Sequence, residues 1–274
     1  MFPGKRGVDA LKQNVAGQRG MKRVIKSSLA VLGYQIQGIR YCPRQLLEAT
    51  LLRRLEFDDV VCRRMFETSP SLTFVQVGAF DGVTGDPLRK YIDRCGWSGI
   101  VVEPQSTAVN QLRKLYEGNR RIVILQGAID GKCGRKILYT VHAEGVPSWA
   151  GGLASFHREN IVKHSSLIPG VEEMIREESV ECITFDTALE SLRDQRVDLL
   201  QIDTEGADGY VLSLFPFDRV RPSIVHWEIK HLGRQEQERC LGQLASLGYR
   251  FATSGGEDML AVLDTSSGHR MGAG

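Results

Sequence analysis

Five short apolar runs, each closing on a glycine or an acid, constrain this chain more than any other feature. They are "TFVQVG" from residue 73, "GIVVEP" from 99, "RIVILQG" from 121, "VDLLQID" from 197 and "SIVHWE" from 223. A strand that is apolar throughout is buried on both faces, which calls for a parallel sheet with helices packed on each side. The stretches "DPLRKYIDRCG", "STAVNQLRKLYEG", "GYVLSLFPF" and "RQEQERCLGQLAS" have the apolar spacing of such helices. The expected fold is therefore α/β and doubly wound, with a mostly parallel, Rossmann-like sheet. "KILYTVHA", "SVECITFDTAL", "YRFATSG" and "DMLAVLD" read as further strands.

The 274 residues and 42% hydrophobic content suit one such domain plus an extension. Residues 1–70 form the extension: a basic leader, then a helix over 43–67 with Leu46, Leu47, Leu51, Leu52 and Leu55 on one face and Val60, Val61, Met65 and Phe66 continuing it. Ser69-Pro70 ends that helix. The main domain spans 71–266, and 267–274 reads as a disordered tail. The leader carries Lys5, Arg6, Lys12, Arg19, Lys22, Arg23 and Lys26 against Asp9 alone. It reads as a solvated segment, or as a patch for an acidic partner or a membrane surface. "MKRVIKSSLAVLGYQIQG" at 21–38 has too short an apolar core, and no clean cleavage pattern, for a secretion signal. A net charge of +2 gives no case for nucleic acid. The six cysteines lack metal-ligand spacing, so a reducing cytoplasm and burial as small hydrophobes are expected. Residues 145–179 read as a long irregular loop, a candidate lid that carries Trp149, Ser155, Phe156, His157 and His164, with the glycines of "GGLASF" as its hinge.

In doubly wound sheets, ligands sit beyond the carboxyl ends of the strands. The residues found there are Gly78 to Gly82, Glu103 to Gln105, Gly127 to Asp130, Asp203 to Gly206 and Trp227 to His231. The first turn excludes two ligand classes. A dinucleotide turn wants Gly-x-Gly-x-x-Gly, but Phe80 stands where the second glycine belongs, and no Walker lysine follows. Asp81 would also bring negative charge to the start of the next helix, where a phosphate otherwise sits. A cationic or polar ligand fits better, which makes a sulfonium compound, S-adenosylmethionine, the leading candidate. Glu103, 25 residues beyond Gly78, is placed to accept both ribose hydroxyls.

The run "FVQVGAFDGVTGD…GIVVEPQ…GAID…VDLLQIDTEGADGYVL…VHWEIKHL" resembles the FkbM-type S-adenosylmethionine-dependent methyltransferases over roughly residues 72–264, most specifically in "IDTEG". The resemblance implies a class I methyltransferase sheet and methyl transfer mostly to oxygen, on a sugar, glycolipid or secondary-metabolite hydroxyl. It implies that Gln76, Gly78, Ala79, Asp81 and Gly82 surround the methionine and ribose side of the cofactor. Glu103, with Pro104 beside it, would hold the ribose. Ala128 and Ile129 would flank the adenine, Asp130 would meet its amino group, and Asp203 would stand by the transferred methyl. Two positions depart from the family: Gln76, where many relatives have an acid, and Gln201, where many have lysine.

Transfer to a hydroxyl needs the oxygen in line and its proton removed. Asp203, Glu205, His226, Glu228 and His231 are the candidate bases. His226 lies inside a strand and reads as a core residue. Glu205 could instead cap the helix that follows. A divalent metal is the alternative to a base: Mg²⁺ held by Asp203 and Glu228, with Asp208 or His231 added. Expected partners are a small-molecule or glycan acceptor, a membrane surface touched by the basic leader, and a second copy of the chain. The competing readings are an NAD-dependent oxidoreductase or sugar epimerase, which the chain disfavours by lacking Tyr-x-x-x-Lys, and a non-catalytic cofactor-binding module.

Overall fold

The computed structural model describes residues 34–35, 52–54, 56–141, 148–192, 196–254 and 256–263. The apolar runs become parallel neighbours, as their burial requires. They are β3 (Thr73–Val77), β4 (Ser98–Glu103), β5 (Ile122–Gln126), β10 (Leu199–Ile202) and β11 (Ile224–Glu228). Strand β13 (Asp258–Leu263) slots antiparallel between β11 and β12 (Tyr249–Ser254). Outside β12 lie β2 (Leu52–Arg54) and β1 (Tyr34–Gln35). The complete order is β1-β2-β12-β13-β11-β10-β3-β4-β5.

Alternate residues of each strand feed two cores. On one face Val75, Val77, Ile100, Val102, Leu200 and Trp227 are buried. They pack with α6 (Phe185–Leu189), α7 (Asp208–Leu214) and α8 (Arg234–Ser246), through residues such as Leu189, Leu212 and Leu241. On the other, Phe74, Val101, Leu199 and Ile224 pack with α1 (Phe57–Glu67), α2 (Arg89–Cys95) and α3 (Ser106–Leu115). This is the doubly wound arrangement expected from the sequence.

Four expectations change. The helix expected over 43–67 begins only at Phe57. Leu52–Arg54 is instead extended beside β12, where the open sheet edge supplies backbone partners that helical spacing cannot outweigh. Leu46, Leu47, Leu51 and Leu55 lie outside the described residues, and Phe66 is exposed. "RIVILQGAID" is two strands: β5 ends at Gln126, and β6 (Ala128–Ile129) joins a second sheet of order β6-β9-β7-β8. Between them, Gly127 lets the chain pass close to β9: an added Cβ would lie 3.3 Å from the Glu181 carbonyl oxygen. "SVECITFDTAL" belongs to that second sheet as well. Its strand, β9 (Ile175–Ile183), pairs antiparallel with β7 (Gly134–Val141), and Arg176, Glu177, Ser179 and Glu181 along it are exposed. Residues 148–174 are not an irregular loop. A 3-10 turn at Ser148–Gly152, β8 (Ala154–Ser155), α4 (Arg158–Val162) and α5 (Val171–Met174) close over Ala150, Leu153, Ile161, Ile168 and Val171. The hydrophobic seal of this cap is its own small core.

The basic leader and the tail lie outside the described residues. Cys182 and Cys240 are buried as expected, whereas Cys62 and Cys133 are exposed. No described helix is long and apolar enough to cross a membrane.

Candidate functional site

A cavity of about 280 Å³ opens where β3, β4 and β10 end, roofed by the cap residues Trp149, Gly152 and Phe156. Its floor is set by Gly78. At φ +80° the backbone passes so close to β10 that an added Cβ would lie 1.7 Å from the Asp203 carbonyl oxygen. That glycine is required first by the joint between two strands. Phe80 follows, also with positive φ (46°), and this turn aims its amide at Glu103. The two carboxylate oxygens of Glu103 accept the Phe80 and Gln105 amides, each at 2.9 Å. Burial pushes this acid up to about 7, against the pull of those amides.

The Phe80 ring rests on the cap. Methyl groups added at Gly151 or Gly152 would stand 3.3 and 3.5 Å from it. The glycines expected to hinge a lid serve instead as a flat seat for an aromatic ring.

Asp81 and Gly82 do not line the cavity. Asp81 is spent inside its own turn, accepting the Val83 and Thr84 amides at 2.8 and 2.7 Å. Burial alone would raise its pKa, but the Thr84 and Val83 bonds outweigh it and hold it low. The next helix starts only at Arg89, so Asp81 is not at a helix start as the sequence suggested. Gly82 is packed under Leu112 and Leu115. The acid that does reach the cavity is Asp86. Its Oδ1 accepts Gln76 Nε2 at 3.1 Å and the Leu88 amide at 2.8 Å. Its Oδ2 and Gln76 Oε1 are buried and have no partner among the described residues. Burial raises the Asp86 pKa despite those two bonds. Asp86 was not singled out from the sequence; its one signal was an acid directly before a proline at the end of a glycine-rich turn.

At the opposite end, Pro104, Ala128, Ile129 and Asp130 all line the cavity. Asp130 is already engaged: Oδ1 accepts Tyr210 Oη at 2.5 Å and the Gly131 amide at 2.9 Å, and Oδ2 pairs with Lys136 at 2.6 Å. Burial raises its pKa, but Lys136 and Tyr210 more than compensate and leave it lowered. Tyr210 and Lys136, also cavity residues, had no sequence signal.

The third corner is acidic. Asp203 opens onto the cavity and meets water there, yet lies deep enough for desolvation to matter. That desolvation, with Asp208, Glu205 and Asp258 nearby, pushes it up to about 8. Asp208 is fully buried and accepts the Thr204 and Gly206 amides at 3.1 Å each, so it ties the turn and is not free to take a metal. No side chain caps the helix that follows, so Glu205 does not take the capping role considered for it. Glu205, at φ 51°, turns instead toward His231, with Oε2 3.4 Å from Nε2. Glu228 Oε2 is 3.6 Å from the same nitrogen, and burial and the neighbouring acids push Glu228 up to about 9. His226 is a core residue: its Nδ1 is 2.7 Å from Gln201 Oε1, and burial lowers it to about 4. Gln201 thus has a structural task. Asp203 and Glu228, expected to hold Mg²⁺, do not gather with a third ligand. The three ligating side chains that converge among the described residues are His164, Glu205 and His231.

A family model described as Methyltransferase FkbM domain matches residues 76–263. No curated protein matches the chain. Among solved structures, a methyltransferase FkbM from Methylobacillus flagellatus KT is 12% identical with a TM-score of 0.45, over 70% of this chain and 44% of that one. The chain thus spans less than half of that protein. A Methanococcus jannaschii fibrillarin pre-rRNA processing protein matches at 8% identity and TM-score 0.36, over 71% of this chain and 67% of its own. A chain of a fibrillarin/Nop5p complex matches at 10% identity and TM-score 0.34, over 70% of this chain and 71% of that one.

Proposed function

Because the chain belongs to the FkbM methyltransferase family, we propose that it is an S-adenosylmethionine-dependent O-methyltransferase acting on a hydroxyl of a sugar, glycolipid or other small metabolite. The observation that carries this reading is the charge of the cavity. Asp86, Glu103, Asp130, Asp203 and Glu205 line it against one described cation, Lys136, which is already paired with Asp130. Such a lining repels a pyrophosphate and attracts a cation. It argues against the NAD reading more strongly than a missing glycine does.

The residues present fit the cofactor. The partnerless Asp86 Oδ2 and Gln76 Oε1 form an acceptor pair suited to an ammonium group. Asp86 supplies the charge that Gln76 lacks relative to the family. Glu103 keeps a free lone pair on each oxygen for ribose hydroxyls. The apolar Ala128 and Ile129 offer a face for a flat base. When bound, S-adenosylmethionine supplies a methyl group on a positively charged sulfur.

The chain's own part is to position the acceptor and take its proton. Asp203 has the raised basicity a carboxylate needs to hold a hydroxyl proton near neutral pH. A cation seated beside it draws its pKa down and restores the carboxylate before transfer. Glu228, pushed higher still, keeps its own proton at pH 7 and does not compete for the task. A thermal-shift panel tests the cofactor: S-adenosylhomocysteine should raise the Tm and NAD should leave it unchanged. The reverse result sinks the assignment.

A further inference from the structure

A second chamber, of about 10 Å³, lies beside the main cavity and shares Glu205 with it. That is the space of a single water or ion. His164 enters it from the cap, and Glu205 and His231 from the strand ends. One ligating atom from each lies within 4.8 Å of the others. The closest pair, His231 Nε2 and Glu205 Oε2 at 3.4 Å, already has the separation of two ligands on one tetrahedral ion with bonds of about 2.1 Å. The two imidazoles meet edge to face with centroids 5.8 Å apart. A fourth oxygen, Glu228 Oε2, is buried without a hydrogen-bond partner and 3.6 Å from His231 Nε2.

We propose that His164, Glu205 and His231 bind one divalent transition ion of the zinc class, and that this ion fastens the cap to the ends of β10 and β11. Two imidazoles and one carboxylate favour Zn²⁺, Mn²⁺ or Fe²⁺ over Mg²⁺, which prefers oxygen throughout. Charge favours it too. Four carboxyl groups, Asp203, Glu205, Asp208 and Glu228, crowd this end and can give up protons to a cation, and Lys230, the cation nearest in sequence, is paired with Glu257 at 3.0 Å. Three protein ligands leave a fourth coordination position, which Glu228 or a water can fill. Binding of the ion does not depend on the methyltransferase reading; any help it gives to an acceptor hydroxyl does.

The test uses the full chain, stripped with chelator and dialysed, then titrated calorimetrically with Zn²⁺ and separately with Mg²⁺. The expected result is one Zn²⁺ per chain and no comparable Mg²⁺ heat. A Cys62→Ser/Cys133→Ser variant should bind Zn²⁺ as before, and His164→Gln should bind at least tenfold more weakly. His164 does not line the cofactor cavity, so unchanged S-adenosylhomocysteine binding reports that this variant is folded. If it does not fold, Co²⁺ on the wild-type chain decides: nitrogen and oxygen ligation supports the site, and a thiolate charge-transfer band places the ion on a cysteine and overturns it. Equal Zn²⁺ affinity in His164→Gln, or no binding at all, also overturns it. Zn²⁺ binding without any S-adenosylhomocysteine binding would leave this site standing and remove the methyltransferase assignment instead.

Discussion

Replacing Glu103 by glutamine should change the pH dependence of cofactor binding as well as its strength. In the empty site Glu103 is almost fully enclosed and titrates at about 7. Ribose hydroxyls donate hydrogen bonds, so they favour the carboxylate, and binding below pH 7 must first expel a proton. The sign follows: affinity for S-adenosylhomocysteine rises with pH and levels off above about 7. At pH 6 about a tenth of the sites are ionised, which makes binding about tenfold weaker than at pH 8, or ~1.4 kcal/mol. Glutamine has no such proton to lose. It keeps one acceptor oxygen, but its amide nitrogen must face either the Phe80 or the Gln105 amide, both donors. Losing one charge-assisted bond and gaining that mismatch costs about 2–4 kcal/mol, roughly 30- to 1,000-fold in Kd at pH 8. Asp203 also titrates in this range, so the informative quantity is the ratio of the two affinities, measured by calorimetry from pH 6 to pH 8. That ratio should widen about tenfold as pH rises. A constant ratio would refute a ribose-holding, ionising Glu103.

Three further outcomes follow from the same geometry. Asp203→Asn should lower kcat by about 10²–10⁴-fold with S-adenosylhomocysteine affinity little changed, since a base is lost and a cofactor contact is not; a kcat within a few-fold of wild type would reassign the base. Asp86→Asn should weaken S-adenosylhomocysteine by about 1.5–3 kcal/mol, yet leave a deaminated analogue unaffected; equal losses for both ligands would remove the ammonium role. Gly78→Ala cannot be accommodated 1.7 Å from the Asp203 carbonyl, so it should destabilise the fold by about 3 kcal/mol or more and lower Tm by roughly 6–12 °C; an unchanged Tm would mean that β3 and β10 can move apart freely.

The parallel sheet was legible because burial on both faces leaves its mark on every residue of a strand. That mark is missing from β9. Its "IREESVECI" has Arg176, Glu177, Glu178 and Ser179 in a row, which a strand buried on both faces would exclude, and this could have separated it from the main sheet. Glu103 was legible because it ends a strand, and position along a strand fixes which end of the sheet a residue meets. Asp86 lies ten residues past Gln76, in a turn that doubles back, and no periodicity reports on such a return. The Asp130–Tyr210 pair joins positions 80 apart, and His164 meets Glu205 through a cap whose folding depends on its own small core. Asp81 misled for the opposite reason. Its side chain found local backbone partners, which short acids in turns commonly do.

The seat that Gly151 and Gly152 make for Phe80 gives the two halves of a two-substrate site a mechanical link. One end of Phe80 is the amide that grips Glu103, and the other is the ring under the cap. A carboxylate that changes its charge or its partners therefore pulls on the same residue that supports the cap. Kinetically, such a link favours a compulsory order in which the nucleoside is seated first and the roof settles second. It would also make the loss of product from the cap side sensitive to whether the spent nucleoside is still in place.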